Sequence, residues 1–403
     1  MISVEEAVAR VLAPLRLLPS EWITLREAQG RVLAADLAAR RDQPPVAVSA
    51  MDGYAVRAVD TAEPGRTFRL IGEVAAGDAP GLHLGPGEAA RIFTGGAVPA
   101  GADAIVIQEN AARNGALVRF SETVAPGRFV RTVGLDFAAG WVGLRAGTLL
   151  DPRAIGLAAA MGHLWVPVRR RPRIGILATG NELRLPGELP EGGQITGSNS
   201  LLLTAMIAGW GAVPVDLGLC PDELATLIER LEAARGLDLL ITTGGASVGE
   251  HDLVRAALDR EGSSLEFWQV AMRPGKPFIS GRLGEVSMLG FPGNPVSTAV
   301  SGLIYLRSAL QRLLGLPEGL RHDAAPLGQS WLANDRRQDY LRGIWTEAGG
   351  ERRVLTAARQ DSSMQATLAA ADLLVVRPPF DPPRQPGHPV SVIDLRAAFD
   401  SLR

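Results

Sequence analysis

The spacing of apolar and polar residues changes three times along the chain, and each change predicts a different kind of structure. Residues 3 to 18 repeat apolar positions at helical spacing behind the capping box Ser3-x-x-Glu6 and stop at Pro19, which predicts an amphipathic helix. A second box, Thr24-x-x-Glu27, predicts another helix running toward Ala39. From Pro44 to about Phe137 glycine and proline recur between short β-type runs, including Thr67 to Ile71, Ala104 to Ile107 and Leu117 to Phe120. That texture predicts an all-β insertion. Asp151 and Pro152 then supply the cap and first turn of a helix to Met161, closed by Gly162. Packed against the N-terminal helices, it would complete a first domain that is split in sequence.

From Arg173 onward strands alternate with helices. Ile174 to Ala178, Val213 to Leu217, Leu239 to Thr242, Phe267 to Val270 and Val286 to Leu289 read as strands. Residues 199 to 208, 222 to 235, 252 to 261 and 295 to 314 read as helices, the last bounded by Asn294, Pro295 and Gly315. The fold class is therefore multidomain α/β, with a mostly parallel sheet covered on both faces and ligands outside the carboxyl ends of its strands. From about Leu320 short strands return at Tyr340 to Trp345, Leu373 to Val376 and Pro389 to Ile393, predicting a small C-terminal β domain. The boundaries fall at 1–43 with 137–168 for the split domain, 44–136 for the insertion, 169–318 for the α/β domain and 319–403 for the last.

Composition narrows the function. A net charge of −2 with both signs interspersed gives no nucleic-acid footprint. A single cysteine, Cys220, excludes internal disulfides, a Cys-ligated zinc site and an iron–sulfur cluster, and suits a reducing compartment such as the cytoplasm. No secretory signal is visible, and the most apolar stretch, Ala154 to Val168, is too short to span a bilayer. Five scattered histidines form no H-x-x-x-H pair, so a metal would take oxygen ligands.

The stretch from Asp238 to Asp252 concentrates the chemistry. A short strand enters a turn containing Gly244, Gly245 and Gly249, and a helix follows with Glu250 and Asp252 at its first turn. Unpaired amides at such a helix start attract an anion, and the two carboxylates fit if Mg²⁺ lies between them and phosphate oxygens. Glycine turns of this kind are most often only tight connections. Gly245-Ala-Ser247-Val-Gly249 also fits a nucleophile elbow, with Ser247 as nucleophile and His322 or His388 as base, although no HGGG-type loop precedes it. Other clusters stand at the same strand ends: Thr179 to Glu182, Asp222, Arg273-Pro-Gly-Lys276-Pro and Pro292-Gly-Asn-Pro295. Arg273 and Lys276 suit an oxyanion or phosphate, but the loop is not a Walker A motif and by itself could be a solvated turn. In the insertion, Ser49-Ala-Met-Asp52-Gly-Tyr-Ala and Arg91-Ile-Phe-Thr94-Gly-Gly96 form polar islands, although Asp-Gly is also a common hairpin turn.

Six motifs in order resemble the molybdopterin molybdotransferases, the MoeA and gephyrin E-domain family: Ser49-Ala-Met-Asp-Gly-Tyr-Ala, Arg91-Ile-Phe-Thr-Gly with Val98-Pro-Ala-Gly-Ala-Asp-Ala, Thr179-Gly-Asn-Glu-Leu, Gly244-Gly-Ala-Ser-Val-Gly-Glu, Arg273-Pro-Gly-Lys-Pro and Gly290-Phe-Pro-Gly-Asn-Pro-Val-Ser. The resemblance spans nearly the whole chain. It implies a split elongated domain, a β insertion, a molybdopterin-binding α/β domain and a C-terminal β barrel. It also implies a homodimer in which the insertion of one subunit meets the α/β rim of the other. The implied reaction inserts molybdate into adenylylated molybdopterin with Mg²⁺, forming molybdenum cofactor and releasing AMP. Other molybdenum cofactor synthesis proteins are implied as further partners.

Position by position, the resemblance makes Asp52 and Thr94 the insertion's catalytic contribution. It makes Glu182, Asp222 and Asp252 the acidic metal-handling rim, and Arg273 and Lys276 the oxyanion-binding pair. Gly244, Gly245, Ser247, Asp136, Arg337 and Ser362 would complete the binding positions. The chain departs from the family pattern at Gly134-Leu135 beside Asp136, at Gly197 before Ser198-Asn199, and at Asp361 and Ser363 around Ser362. The same rim suits tungstate, which shares molybdate's charge and shape. A rival reading keeps the dimeric fold as a non-catalytic scaffold or cofactor carrier.

Overall fold

The computed structural model describes every residue except Pro64, Pro80, 245–263, Gly349 and Arg403, and the side chains of 264, 265, 267, 268 and 348. The chain divides into two compact units, one of residues 1–21, 30–32 and 169–403, the other of residues 22–29 and 33–168.

Helix α1 (Val4–Leu12) opens as expected, with Ser3 Oγ accepting from the Glu6 amide, but stops well before Pro19. Pro14 is the cause, since a proline cannot donate into the helix and its ring clashes with the preceding turn. The apolar side of α1 (Val4, Ala7, Val11, Leu12) is buried.

In the second unit the helix expected from Thr24 toward Ala39 does not form. Thr24 Oγ1 does meet Glu27, but only one 3₁₀ turn follows, Leu25–Glu27, and Leu37–Ala38 is a strand paired with Val142–Leu144. Leu25, Ala28, Leu33 and Leu37 are buried with Phe137, Leu144, Leu150 and Val166, so long-range burial overrides the helical propensity of the alanine-rich run. The insertion builds a six-stranded sheet from β1 (Gly53–Val56), β2 (Thr67–Val74), β3 (Glu88–Ile92), β4 (Ala104–Ile107), β5 (Ala111–Asn114) and β6 (Leu117–Phe120), in the order β4-β1-β3-β2-β6-β5. Asp52-Gly53 is not a hairpin turn. Gly53 lies in β1, where a Cβ would collide with the carbonyl of Val106 on β4, so glycine is required by the close approach of two strands. Helix α2 (Pro152–Ala160) is capped by Asp151, whose carboxylate accepts from Ala154. It buries Ala154 and Ala158 against the segment around Leu25 and Leu33, which meets it as turn and strand rather than helix.

In the first unit the α/β sheet contains β7 (Arg173–Thr179), β8 (Val213–Cys220), β9 (Leu239–Thr243), β10 (Ser264–Gln269), β11 (Pro277–Leu283) and β12 (Val286–Phe291). Their order is β8-β7-β9-β12-β11-β10; the first four run parallel and the last two pairings are antiparallel. Strand β11 was not apparent in the sequence, where Pro277 and Gly281 interrupt its apolar run. β9 and β12 are buried throughout, as expected for strands covered on both faces. Helices α3 (Asn199–Gly209) and α4 (Leu224–Glu232) cover the sheet, and a buried run, α5 (Pro295–Ser301), a π turn (Gly302–Leu306) and α6 (Arg307–Leu314), ends at Gly315 with φ +75°. The apolar side of α1 packs on α6.

Five C-terminal strands follow: β13 (Asp323–Pro326), β14 (Gln338–Ala348), β15 (Glu351–Thr356), β16 (Leu373–Arg377) and β17 (Pro389–Asp394). β15 pairs with β14, and a bridge from Leu327 to Val354 joins the end of β13 to β15, so the sheet curls closed around Leu327, Val354, Leu373, Val375 and Val392. Among the described residues no helix is long and apolar enough to cross a membrane.

Candidate functional site

Strand β7 has β8 on one side and β9 on the other, so chain connections leave it in opposite directions and a crevice opens at the carboxyl ends of β7 and β9. A cleft of about 580 Å³ lies there. It is lined by Thr179 and Glu182 at and after the end of β7, Thr243 and Gly244 at and after the end of β9, Pro292 to Pro295 after β12, and the 195–200 segment entering α3. Of the polar and glycine-rich segments expected on one rim, Thr179 to Glu182, Gly244 and Pro292 to Pro295 contribute to this cleft, whereas Asp222, Arg273 and Lys276 are outside its lining.

Backbone and side chains make the cleft wall an acceptor surface. Asn199 Nδ2 donates to Thr243 Oγ1 (2.9 Å) and to the carbonyl of Gly293 (2.7 Å), tying together the ends of β9 and β12. Both of its amide protons are then used, and among the described residues Asn199 Oδ1 has no hydrogen-bond partner; nor does Thr179 Oγ1, on a residue only 6% exposed. Buried polar atoms are normally satisfied, so an amide oxygen that accepts and a hydroxyl that donates or accepts, both without partners in a cleft wall, call for polar groups of a ligand. Gly244 has φ +90° and packs so closely on Thr179 that a Cβ would collide with its carbonyl.

Glu182 and Asp222 stand on this rim. Glu182 lines the cleft and its carboxylate lies over Gly180. Asp222 and Asn181 bond reciprocally: Asn181 N–H donates to Asp222 Oδ2 (3.4 Å) and Asp222 N–H to Asn181 Oδ1 (3.1 Å), which holds the two loops together. Asp252, Gly245 and Ser247 lie outside the described residues, as does the helix expected at 252–261. Among the described residues no three carboxylates, histidines or cysteines converge in a ready-made metal cluster.

The basic turn is more committed than its sequence suggests. Met272–Arg273 pairs in parallel with Gln338–Asp339 of β14, which puts Arg273 opposite Asp339. Its Nε and Nη2 donate to the two oxygens of Asp339 (2.8 and 2.7 Å), Nη2 also reaches Asn334 Oδ1 (3.3 Å), and Nη1 is 3.8 Å from Asp335. Hydrogen bonds from the Arg337 side chain, with Arg273 adding to the field, hold the Asp335 carboxyl down at about 2. Arg337 bonds Asp335 with Nη2 at 2.6 Å and lies outside the cleft lining. Lys276 is exposed and has no ion-pair partner among the described residues, and the next residue, Pro277, lines the cleft. Ser362 enters through Asn294, whose Nδ2 donates to Ser362 Oγ (2.8 Å) instead of capping α5. Asp361 accepts from the hydroxyl and amide of Ser363, and Ser363 lines the cleft. Asp339, Asn334, Thr179, Asn199 and Thr243 were not among the expected site residues. Thr179, in the Thr179-Gly-Asn-Glu motif, and Ser198-Asn199 left a sequence signal, whereas the others depend on which strand ends meet.

Gly197, a departure from the family pattern, lines the cleft with ordinary space around a Cβ, the nearest atom being the Arg184 carbonyl at 3.5 Å. Gly197→Ala should therefore melt like the parent chain, within about 0.5 kcal/mol by denaturant titration.

The second unit carries its own pair. The Thr94 amide and hydroxyl both donate to Asp52 Oδ1, at 2.8 and 2.7 Å, uniting the two polar islands. Those bonds, the amide's first, hold the Asp52 carboxyl below the usual range. A carboxyl depressed in this way stays ionised to lower pH, so Thr94→Ala should move the ¹³C NMR titration of Asp52 to higher pH. Asp136 lines a separate cleft of about 510 Å³ with Gln43, Asp78, Gly95 and Arg131. Gly95 places that cleft next to Thr94 in sequence.

Comparison with known proteins covers both units. Residues 2–162 match the MoeA N-terminal region (domain I and II), 175–312 the model described as "Probable molybdopterin binding domain", and 324–395 the MoeA C-terminal region (domain IV). Molybdopterin molybdenumtransferase 2 of Mycobacterium tuberculosis is 37% identical over 361 residues, 87% of this chain and 89% of its own length. Molybdopterin molybdenumtransferase of Bacillus subtilis is 32% identical over 98% of this chain and 94% of its own. A crystal structure of the molybdopterin biosynthesis MoeA protein from Pyrococcus horikoshii superposes with a TM-score of 0.82 at 29% identity, covering 98% of this chain and 100% of that one.

Proposed function

The chain belongs to the molybdopterin molybdenumtransferase (MoeA) family, and from that premise we propose that the cleft at the carboxyl ends of β7 and β9 receives adenylylated molybdopterin while the 273–276 turn receives molybdate. The enzyme is a transferase of molybdenum cofactor biosynthesis that inserts molybdenum into molybdopterin. Family membership favours neither a serine hydrolase built on Ser247 nor a non-catalytic scaffold. The observation that carries the cleft assignment is the pair of unpartnered polar atoms, Thr179 Oγ1 and Asn199 Oδ1. A pterin presents N–H donors along one edge, and such donors would satisfy both.

In this reading Arg273, neutralised by Asp339, holds the turn in shape, and Lys276 supplies the cationic contact to the oxyanion. Ser362, Ser363 and Asn294 border the phosphate end. The described rim acids, Glu182 and Asp222, offer only oxygen donors, and Glu182 has no ion-pair partner among the described residues, which fits a hard cation. Glu182, Asp222 and Asp252 would hold Mg²⁺, which when bound would polarise the phosphoanhydride. The four-domain division at 1–43 with 137–168, 44–136, 169–318 and 319–403, a homodimer that brings Asp52, Thr94 and Asp136 of one copy to the rim of another, and a cytoplasmic location complete the proposal.

The test is AMP release from adenylylated molybdopterin by the purified protein, with and without molybdate, in Mg²⁺ or EDTA. Release that requires both molybdate and Mg²⁺ is expected. Undiminished release in EDTA would overturn the metal assignment, and no release under any condition would overturn the transferase reading.

A further inference from the structure

Lys276 is the only lysine among the 41 Lys and Arg residues of this chain. Wherever else a positive charge is needed the chain uses arginine, including Arg273 three residues away and Arg337. A position that required only charge would be expected to follow the same usage. Arginine and lysine differ in shape, in nucleophilicity and in the ability to give up a proton: the guanidinium stays charged at any working pH, whereas an ammonium can donate a proton and recover it.

The placement of Lys276 suits such a role. Its backbone is pinned, with the Lys276 carbonyl accepting from Val270 N–H (2.9 Å) and the start of the turn paired to β14. Its side chain is exposed beside a cleft-lining proline. Fixed positive charge with planar donors is already present in Arg273, and the charged groups around the turn, Arg273, Asp335 and Asp339, are bonded or close to one another. With molybdate at the turn, as proposed above, the reaction needs a proton there. Two molybdenum–sulfur bonds form to the dithiol, one molybdenum–oxygen bond breaks, and the departing oxygen leaves as water carrying the two thiol protons. Molybdenum remains hexavalent, so no oxidant or reductant enters.

We propose that the Lys276 ammonium is the catalytic acid that protonates the oxygen leaving molybdate. The amine so formed takes a proton from an incoming thiol, which restores the ammonium; the second thiol proton completes the water. This assignment rests on the transferase reading above and adds to it a role that charge alone does not fill.

The experiment compares full-length wild type, Lys276→Arg and Lys276→Ala in molybdate-dependent cofactor formation, with small primary amines added to the alanine variant. Lys276→Arg should lose about 100-fold in kcat, the scale of general acid catalysis, while KM for molybdate changes little. Ethylamine should partly restore Lys276→Ala, and guanidine should not. Because the side chain is exposed, all three proteins should share one melting temperature; if Lys276→Arg alone melts lower, amine rescue of Lys276→Ala decides. An arginine variant with wild-type kcat, a loss confined to KM, or a failure of amines to rescue the alanine variant would overturn the acid role and leave the transferase reading standing. A wild type that forms no cofactor would overturn both.

Discussion

Gly244→Val is expected to lower the melting temperature by about 10 °C and to abolish turnover. Gly244 closes strand β9 with φ +90°, a conformation that L side chains rarely adopt, and its α-carbon packs against the carbonyl of Thr179 at the end of β7. A Cβ has no room to enter, so the strand ends must separate. Backbone strain and the lost contact together cost about 4 kcal/mol, near the upper end for single substitutions. At about 2 to 4 °C per kcal/mol for a domain of this size, the shift is readable by calorimetry. The functional loss follows from the same displacement, because Thr179, Thr243 and Asn199 depend on the separation of these strands. A variant that melts lower as expected yet keeps activity would show that the cleft wall is not where the substrate binds.

Asp52→Ala is expected to do the reverse, leaving the fold intact and lowering kcat by about a thousand-fold, within the range of a lost acid–base or positioning group. Asp52 Oδ1 already takes both donors of Thr94, and Oδ2 has no protein donor among the described residues, so it is the acceptor that this unit can offer a substrate. Its depressed pKa, caused by the Thr94 amide and hydroxyl, keeps the group a carboxylate. The stability it contributes is present above the ordinary carboxyl range and is lost as pH falls through the lowered value. Thr94 is exposed, so removing the carboxylate leaves its donors to water and costs the fold little. Steady-state kinetics with a parallel thermal melt separates the two effects. Wild-type kcat in the variant would remove Asp52 from the chemistry.

The sequence by itself determined what depends on near neighbours. Asp151 caps α2, Gly315 ends α6 with a positive φ, and the alternating period of residues 173 to 314 gives a mostly parallel sheet with polar clusters at its strand ends. Caps, turns and hydrophobic period act over a few residues, so they are written where they operate. The motif order likewise identified the family, and the Asp52 and Thr94 islands are joined by two hydrogen bonds. Tertiary structure decided what depends on distant partners. Residues 24 to 39 carry a capping box and alanine-rich propensity yet are turn and strand, because Leu33 and Leu37 gain more by burial beside Phe137 and Val166. Arg273 was expected to bind an oxyanion, and strand pairing places it opposite Asp339, whose two carboxylate oxygens take donors of its guanidinium. Thr179 and Asn199 became candidate ligand acceptors only because the ends of β7, β9 and β12 meet around them. A side chain's type is local, but whether it remains available to a ligand depends on which partners the fold brings to it.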